Sequence, residues 1–421
     1  MPSPKNHPNL SSLSTRQSVA RRINLIEQFV HHRHYDPAGL MYSHINWNKE
    51  RPFRRSDFSQ TDSTMPGPEP QQWINYENSS FISGIFLAAQ CYRHQATGDP
   101  EALAMAERAY GSIDTNYRLT EQRDPSASGL NQKAGSIDPT SQGGGRKNGW
   151  FCKPYGGLAT DHTSTEQHFG PLWGLFLYHP IAAPEIQDRI TQIFREVSQR
   201  WRQNYRINFV GEAWDLEQSN PRAQRHMFLW SAIHRMAYAL TGETASLEEY
   251  ERLDALFGAI PTPCETAHGL GRPHYISTED RSFHVQIVIG AEILAQLEPS
   301  KKSRYLRGMK AWWEYSFIGQ REDLLSYYYI KVDSRTGDWE KLPASIKPRP
   351  LWTSSFMMHN AILPVCWLGT RERQGITSAI VARHDRRLAP RARKHLGRVY
   401  HELDKTHLKW FADPAGVMPK E

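Results

Sequence analysis

Residues 81–113 read FISGIFLAAQCYRHQATGDPEALAMAERAYGSI, and this stretch decides the fold. Its first half is apolar nearly all round. Its second half is apolar at Leu103, Ala106, Tyr110 and Ile113, the three- and four-residue spacing of an amphipathic helix. Between the halves, Thr97-Gly98-Asp99-Pro100 supplies a glycine for a left-handed helix end, an aspartate N-cap and a proline for the first helical position. Two antiparallel helices joined by a tight turn follow. The pattern returns in residues 228–257, where Leu229, Ile233, Met236 and Leu240 mark one helix and Thr241-Gly242-Glu243 closes it. Leu247, Tyr250, Leu253 and Phe257 mark the next, and Ser246 with Glu249 has the spacing of a capping box for it. Ile186, Ile190, Ile193, Val197 and Trp201 give another amphipathic helix. A covered first helix followed by a half-polar second one is what inner and outer helix layers require. Strand-like alternation is confined to short stretches, residues 207–210 and 327–332.

Composition narrows the class. With 421 residues and 39% hydrophobic content the chain buries a large core. No apolar run approaches the ~18 residues that cross a bilayer, so no membrane partner is expected. Residues 1–19 are polar, without the apolar segment of a secretory signal, which favours a cytoplasmic location. The net charge is +7, but Lys and Arg are dispersed and no nucleic-acid recognition module is present. The densest basic stretch, residues 383–398, reads as a solvated helix face, and an anionic small ligand suits the same surplus. Cys91, Cys152, Cys264 and Cys366 lack any paired spacing and read as small buried hydrophobes. Gly143-Gly144-Gly145-Arg146-Lys147 is followed by no Ser or Thr and is no phosphate loop. Neither a zinc spacing nor a GxSxG elbow occurs, so neither metal nor cofactor is expected. No linker divides the chain: residues 1–15 read as a flexible segment and 16–421 as one domain.

Chemistry concentrates in long loops that precede apolar helices, where function resides more often than in the scaffold. Residues 150–167 read WFCKPYGGLATDHTSTEQ and bring Trp150, Tyr155, Asp161, His162, Glu166 and Gln167 to the start of one such helix. Helix N-terminal amides there favour an anionic group. The alternative is ordinary capping, since Thr163 and Glu166 also fit a capping box. Glu77 and Asn78 precede a second apolar helix, with capping by Asn78 or Ser79 as the alternative. A third cluster, His268, Asp280, Arg281 and His284, leads into residues 285–297. Arginines there can clamp a carboxylate and histidines can move protons near neutral pH. Arg225 and His226 open a fourth apolar helix and are further substrate contacts. Trp312-Trp313 and residues 327–329 are aromatic enough to carry a sugar but read better as core.

The residues Tyr76-Glu77-Asn78-Ser79, the TGDPE hairpin and Thr163-Ser164-Thr165-Glu166-Gln167 resemble those of bacterial (α/α)6-toroid carbohydrate-active enzymes. That group comprises unsaturated glucuronyl hydrolases, related glucuronidases and toroidal polysaccharide lyases. The resemblance spans residues 16–411 and implies an all-α ring of helix hairpins with its cleft at one end. It implies a carbohydrate substrate, and the basic charge favours an anionic one. The expected activity is glycoside hydrolysis of a uronate-containing saccharide. Glu166 or Asp161 would donate the proton and Glu77 or Asp280 would assist water. Trp150, Tyr155, His162, Gln167, Arg225, His226, His268, Arg281 and His284 would bind substrate. A polysaccharide lyase using Tyr155, His162 or His284 with Arg281 is the alternative, followed by a sugar epimerase or a non-catalytic glycan-binding protein. Fold resemblance alone does not choose among them.

Overall fold

The structure, a computed structural model, describes residues 27, 30–43, 51–57, 70–121, 148–160, 163–202, 221–257 and 281–305. Among these the chain is helical, and its β structure amounts to isolated bridges such as Tyr35 with Met41. The helices are α1 (Pro70–Tyr76), α2 (Ser79–Thr97), α3 (Pro100–Glu121), α4 (Thr165–Tyr178), α5 (Pro184–Trp201), α6 (Pro221–Thr241), α7 (Thr244–Phe257) and α8 (Arg281–Leu297). The expected strands at 207–210 and 327–332, the flexible segment 1–15, the basic stretch 383–398 and the aromatic runs at 312–313 and 327–329 lie outside the described residues. No described helix is long and apolar enough to cross a membrane.

The two tight turns form as their residues dictate. Gly98 is left-handed at φ 70°, and its N–H donates to the His94 carbonyl at 2.7 Å. The Asp99 carboxylate then accepts the Glu101 N–H at 2.9 Å and caps α3. Gly242 repeats the device at φ 69°, its N–H reaching the Tyr238 carbonyl at 2.9 Å. The expected capping box of α7 does not form, because the helix already begins at Thr244. Ser246 therefore lies inside it, fully buried, 2.8 Å from the Ser198 hydroxyl, and Glu249 pairs with Arg252.

The apolar helices form an inner layer. Residues 79–91 of α2 are all buried, and in α4 only Glu166, Phe176 and Leu177 are not. Contacts fix their direction. Ser80 meets Gln167 and Gly84 meets Gly170, so α2 and α4 run parallel. Thr165 meets His226 and His168 meets Trp230, so α6 is parallel to α4. Gly290 lies against Phe228 and Leu229, and Arg235 pairs with Glu298, so α8 is parallel to α6. Helices α3, α5 and α7 run back antiparallel over them. Each buries one stripe, in α5 Ile190, Ile193, Phe194, Val197 and Trp201. The first turns of α2, α4, α6 and α8 thus share one end of the layer.

The α2–α4 contact is the tightest. A side chain on Gly84 would overlap the Gly170 carbonyl, and one on Gly174 would come within 2.5 Å of the Gly84 carbonyl oxygen. Pro171 inside α4 has no N–H, so the Gln167 carbonyl loses its usual helical donor. The Ser80 hydroxyl stands 3.2 Å from that oxygen and 2.6 Å from the Gln167 side-chain oxygen. A proline tolerated in mid-helix is thereby tied to its neighbour.

Candidate active site at the common helix end

The loop 149–153 reaches this end as a fixed rail. Gly149 adopts φ 73° and lies so close to the Glu196 carbonyl that no side chain fits. Five successive carbonyls then find donors: Gly149 from the Trp201 indole at 2.8 Å, Trp150 from Thr120 at 2.7 Å, Phe151 from Thr163 at 2.5 Å, Cys152 from Asn116 at 3.2 Å and Lys153 from Thr160 at 2.6 Å. Saturating each backbone acceptor is what allows a loop to be buried. The rail delivers the Lys153 ammonium, on a side chain only 4% exposed, to within 3.3 Å of the Glu77 carboxylate.

His168 holds the rail from below. Its Nδ1–H donates to the Ser164 carbonyl at 3.0 Å, while its Nε2 accepts the Phe151 N–H at 3.3 Å. Both ring nitrogens are used in the neutral tautomer, and Trp150, Phe151, Trp201 and Trp230 surround the ring. Burial pushes its pKa down to about 4. Burial also lowers His234, bonded to Ser198 at 2.9 Å, to about 3. The unfolded chain protonates such histidines near pH 6.5, so between there and the folded values it binds more protons than the native state. Stability is therefore complete above pH ~6.5 and falls as acid is added. Urea midpoints between pH 7.5 and 5 should decline, and His168→Gln should flatten the decline. An equal slope in the variant would remove His168 from the account.

The expected site residues sort into four groups. Glu77, Glu166 and His226 sit at the common end. Glu77 and Glu166 are half-buried, and His226 Nδ1 lies 2.7 Å from the Thr165 hydroxyl. Trp150, Tyr155 and Gln167 are buried, as His226 is. Trp150 stacks on Trp201 with centroids 5.2 Å apart and reads as packing rather than a sugar platform. Gln167 is fully enclosed between Ser80 and Asn78, out of reach of a ligand. Asp161, His162, His268 and Asp280 lie outside the described residues. Arg281 and His284 fall in the first turn of α8, and Arg225 directly follows the first turn of α6.

Neither capping alternative holds for these two helices. Asn78 and Ser164 are the N-cap residues of α2 and α4, and neither side chain caps its helix. Thr163, the expected partner of Glu166 in a capping box, spends its hydroxyl on the Phe151 carbonyl. Two residues escaped the sequence reading. Lys153 carried a signal, a lone cation among Trp150, Phe151, Cys152 and Tyr155 that burial obliges to find an anion. His168 carried none, since its partners are tertiary. Among the described residues no three His, Cys, Asp or Glu side chains group so as to hold a metal ion. No family model, curated protein or solved structure matches the chain.

Proposed function

We propose that the protein is a glycoside hydrolase acting on a uronate-containing oligo- or polysaccharide, built as a single (α/α)6 ring of which the parallel layer and its antiparallel cover are part. The observation that carries the reading is the pair of carboxylates, Glu77 and Glu166, brought to one end of two adjacent parallel helices. Glycoside cleavage needs two such groups from separate elements, one to protonate the leaving oxygen and one to activate water or attack. Glu77, ion-paired with Lys153, is the carboxylate that assists water, and Glu166 on the first turn of α4 is the proton donor. Tyr155, one of three candidate bases for the alternative elimination chemistry, is buried.

The test is incubation with saturated and with unsaturated uronate oligosaccharides, following reducing ends and the ultraviolet absorbance of the conjugated uronate. New reducing ends without a gain in absorbance are expected. A gain in absorbance would assign the site to elimination, and no new reducing ends from any substrate would end the proposal.

A further inference from the structure

We infer that Lys153 is a positioning residue of this site: it grips one oxygen of the Glu77 carboxylate and so turns the other toward the water that Glu77 activates. The inference rests on the glycosidase reading above and adds to it the residue that orients its base.

Glu77 stands in the short break between α1 and α2, and one residue holds the backbone on both sides of it. The Ser43 N–H donates to the Asn75 carbonyl at 2.6 Å, and the Ser43 hydroxyl accepts the Asn78 N–H at 2.6 Å. Beyond that fixed root the glutamate side chain still chooses among staggered rotamers. Among the described residues a single group restrains that choice. Lys153 Nζ donates to Glu77 Oε1 at 3.3 Å, and Oε2 makes no hydrogen bond to a described residue.

The ammonium is rooted as firmly. Asn116 holds the Cys152 carbonyl on one side of it, and the Lys153 carbonyl accepts both the Thr160 hydroxyl at 2.6 Å and the Tyr155 N–H at 2.9 Å. The Lys153 side chain is 4% exposed and that of Glu77 18%, so the gripped oxygen faces inward and the other meets solvent. A general base must bring a lone pair within hydrogen-bond reach of its water, and Oε2 is the atom left to do so. It takes the proton of that water, whose oxygen bonds to the anomeric carbon while the leaving oxygen takes the Glu166 proton. Misplacing such a group by about 1 Å costs on the order of 10²-fold in rate.

The closing experiment measures kcat, KM and melting temperature on a uronate oligosaccharide for the wild type, Lys153→Met and Lys153→Ala. Lys153→Met keeps the reach of the side chain and removes a buried charge whose partner meets solvent, so the fold should survive. Its kcat should fall by roughly 10–100-fold at nearly constant KM, because the carboxylate remains but is no longer aimed. Ethylammonium should restore part of the kcat of Lys153→Ala in a saturable way, and sodium at the same ionic strength should not. Thr160→Val frees one bond to the Lys153 carbonyl without touching the ion pair, and serves should neither Lys153 variant fold; its kcat should fall in the same sense. Wild-type kcat in Lys153→Met or, failing that, in Thr160→Val would overturn the role of Lys153 and leave the glycosidase reading standing. So would a loss carried by KM alone, or a Lys153→Ala rate indifferent to the amine. A wild-type protein that makes no new reducing ends from any uronate substrate would remove both.

Discussion

Glu166→Gln and Glu77→Gln should each lower turnover by about 10²–10⁴-fold, the usual weight of a general acid or base, while leaving substrate binding largely in place. Glutamine keeps the shape of the side chain and removes its capacity to give or take a proton. Glu166 lies half-buried on the first turn of α4. Glu77→Gln takes a carboxylate from the Lys153 ammonium, and removing one member of a buried pair costs more than removing both. Adding Lys153→Met to Glu77→Gln should therefore recover part of the melting temperature without recovering activity. Full rates in both glutamine variants would show that neither carboxylate transfers a proton.

The legible parts of this fold are those whose cause lies within a few residues. Gly98 with Asp99 and Pro100, and Gly242 after Thr241, specify their turns locally, and the helices on either side follow from apolar spacing. The common end of the inner helices was legible for the same reason, because a hairpin repeat forces alternate helices to run parallel. Side-chain roles were not. Thr163 and Asn78 have the composition of caps, yet Phe151 and Gln167 are better partners, and those partners come from elsewhere in the chain. Trp150 reads as a substrate contact, and the residue that makes it core instead, Trp201, lies on another helix. Ser246 likewise has the spacing of a cap, but Ser198 draws its hydroxyl into the interior. Local patterns fix the backbone here; tertiary hydrogen bonds and stacking then reassign the polar side chains.

Gly84→Ala should be among the most damaging single-carbon changes this protein can suffer. A methyl at that position overlaps the Gly170 carbonyl and the Pro171 nitrogen, which are backbone atoms inside a helix and cannot step aside as a side-chain tip would. Helices α2 and α4 must then separate. Overpacking of this kind costs about 1–3 kcal/mol, sometimes more, from a total stability of only about 5–15 kcal/mol. Gly111→Ala is the internal control: its Cβ would meet nothing within 4 Å, and it lies in the middle of α3. That change should stabilise by about 0.4–1 kcal/mol, because alanine restricts the unfolded chain and glycine does not. Urea denaturation of the two alanine variants decides the packing argument. A Gly84→Ala midpoint equal to that of the wild type would mean that α2 and α4 are not in backbone contact.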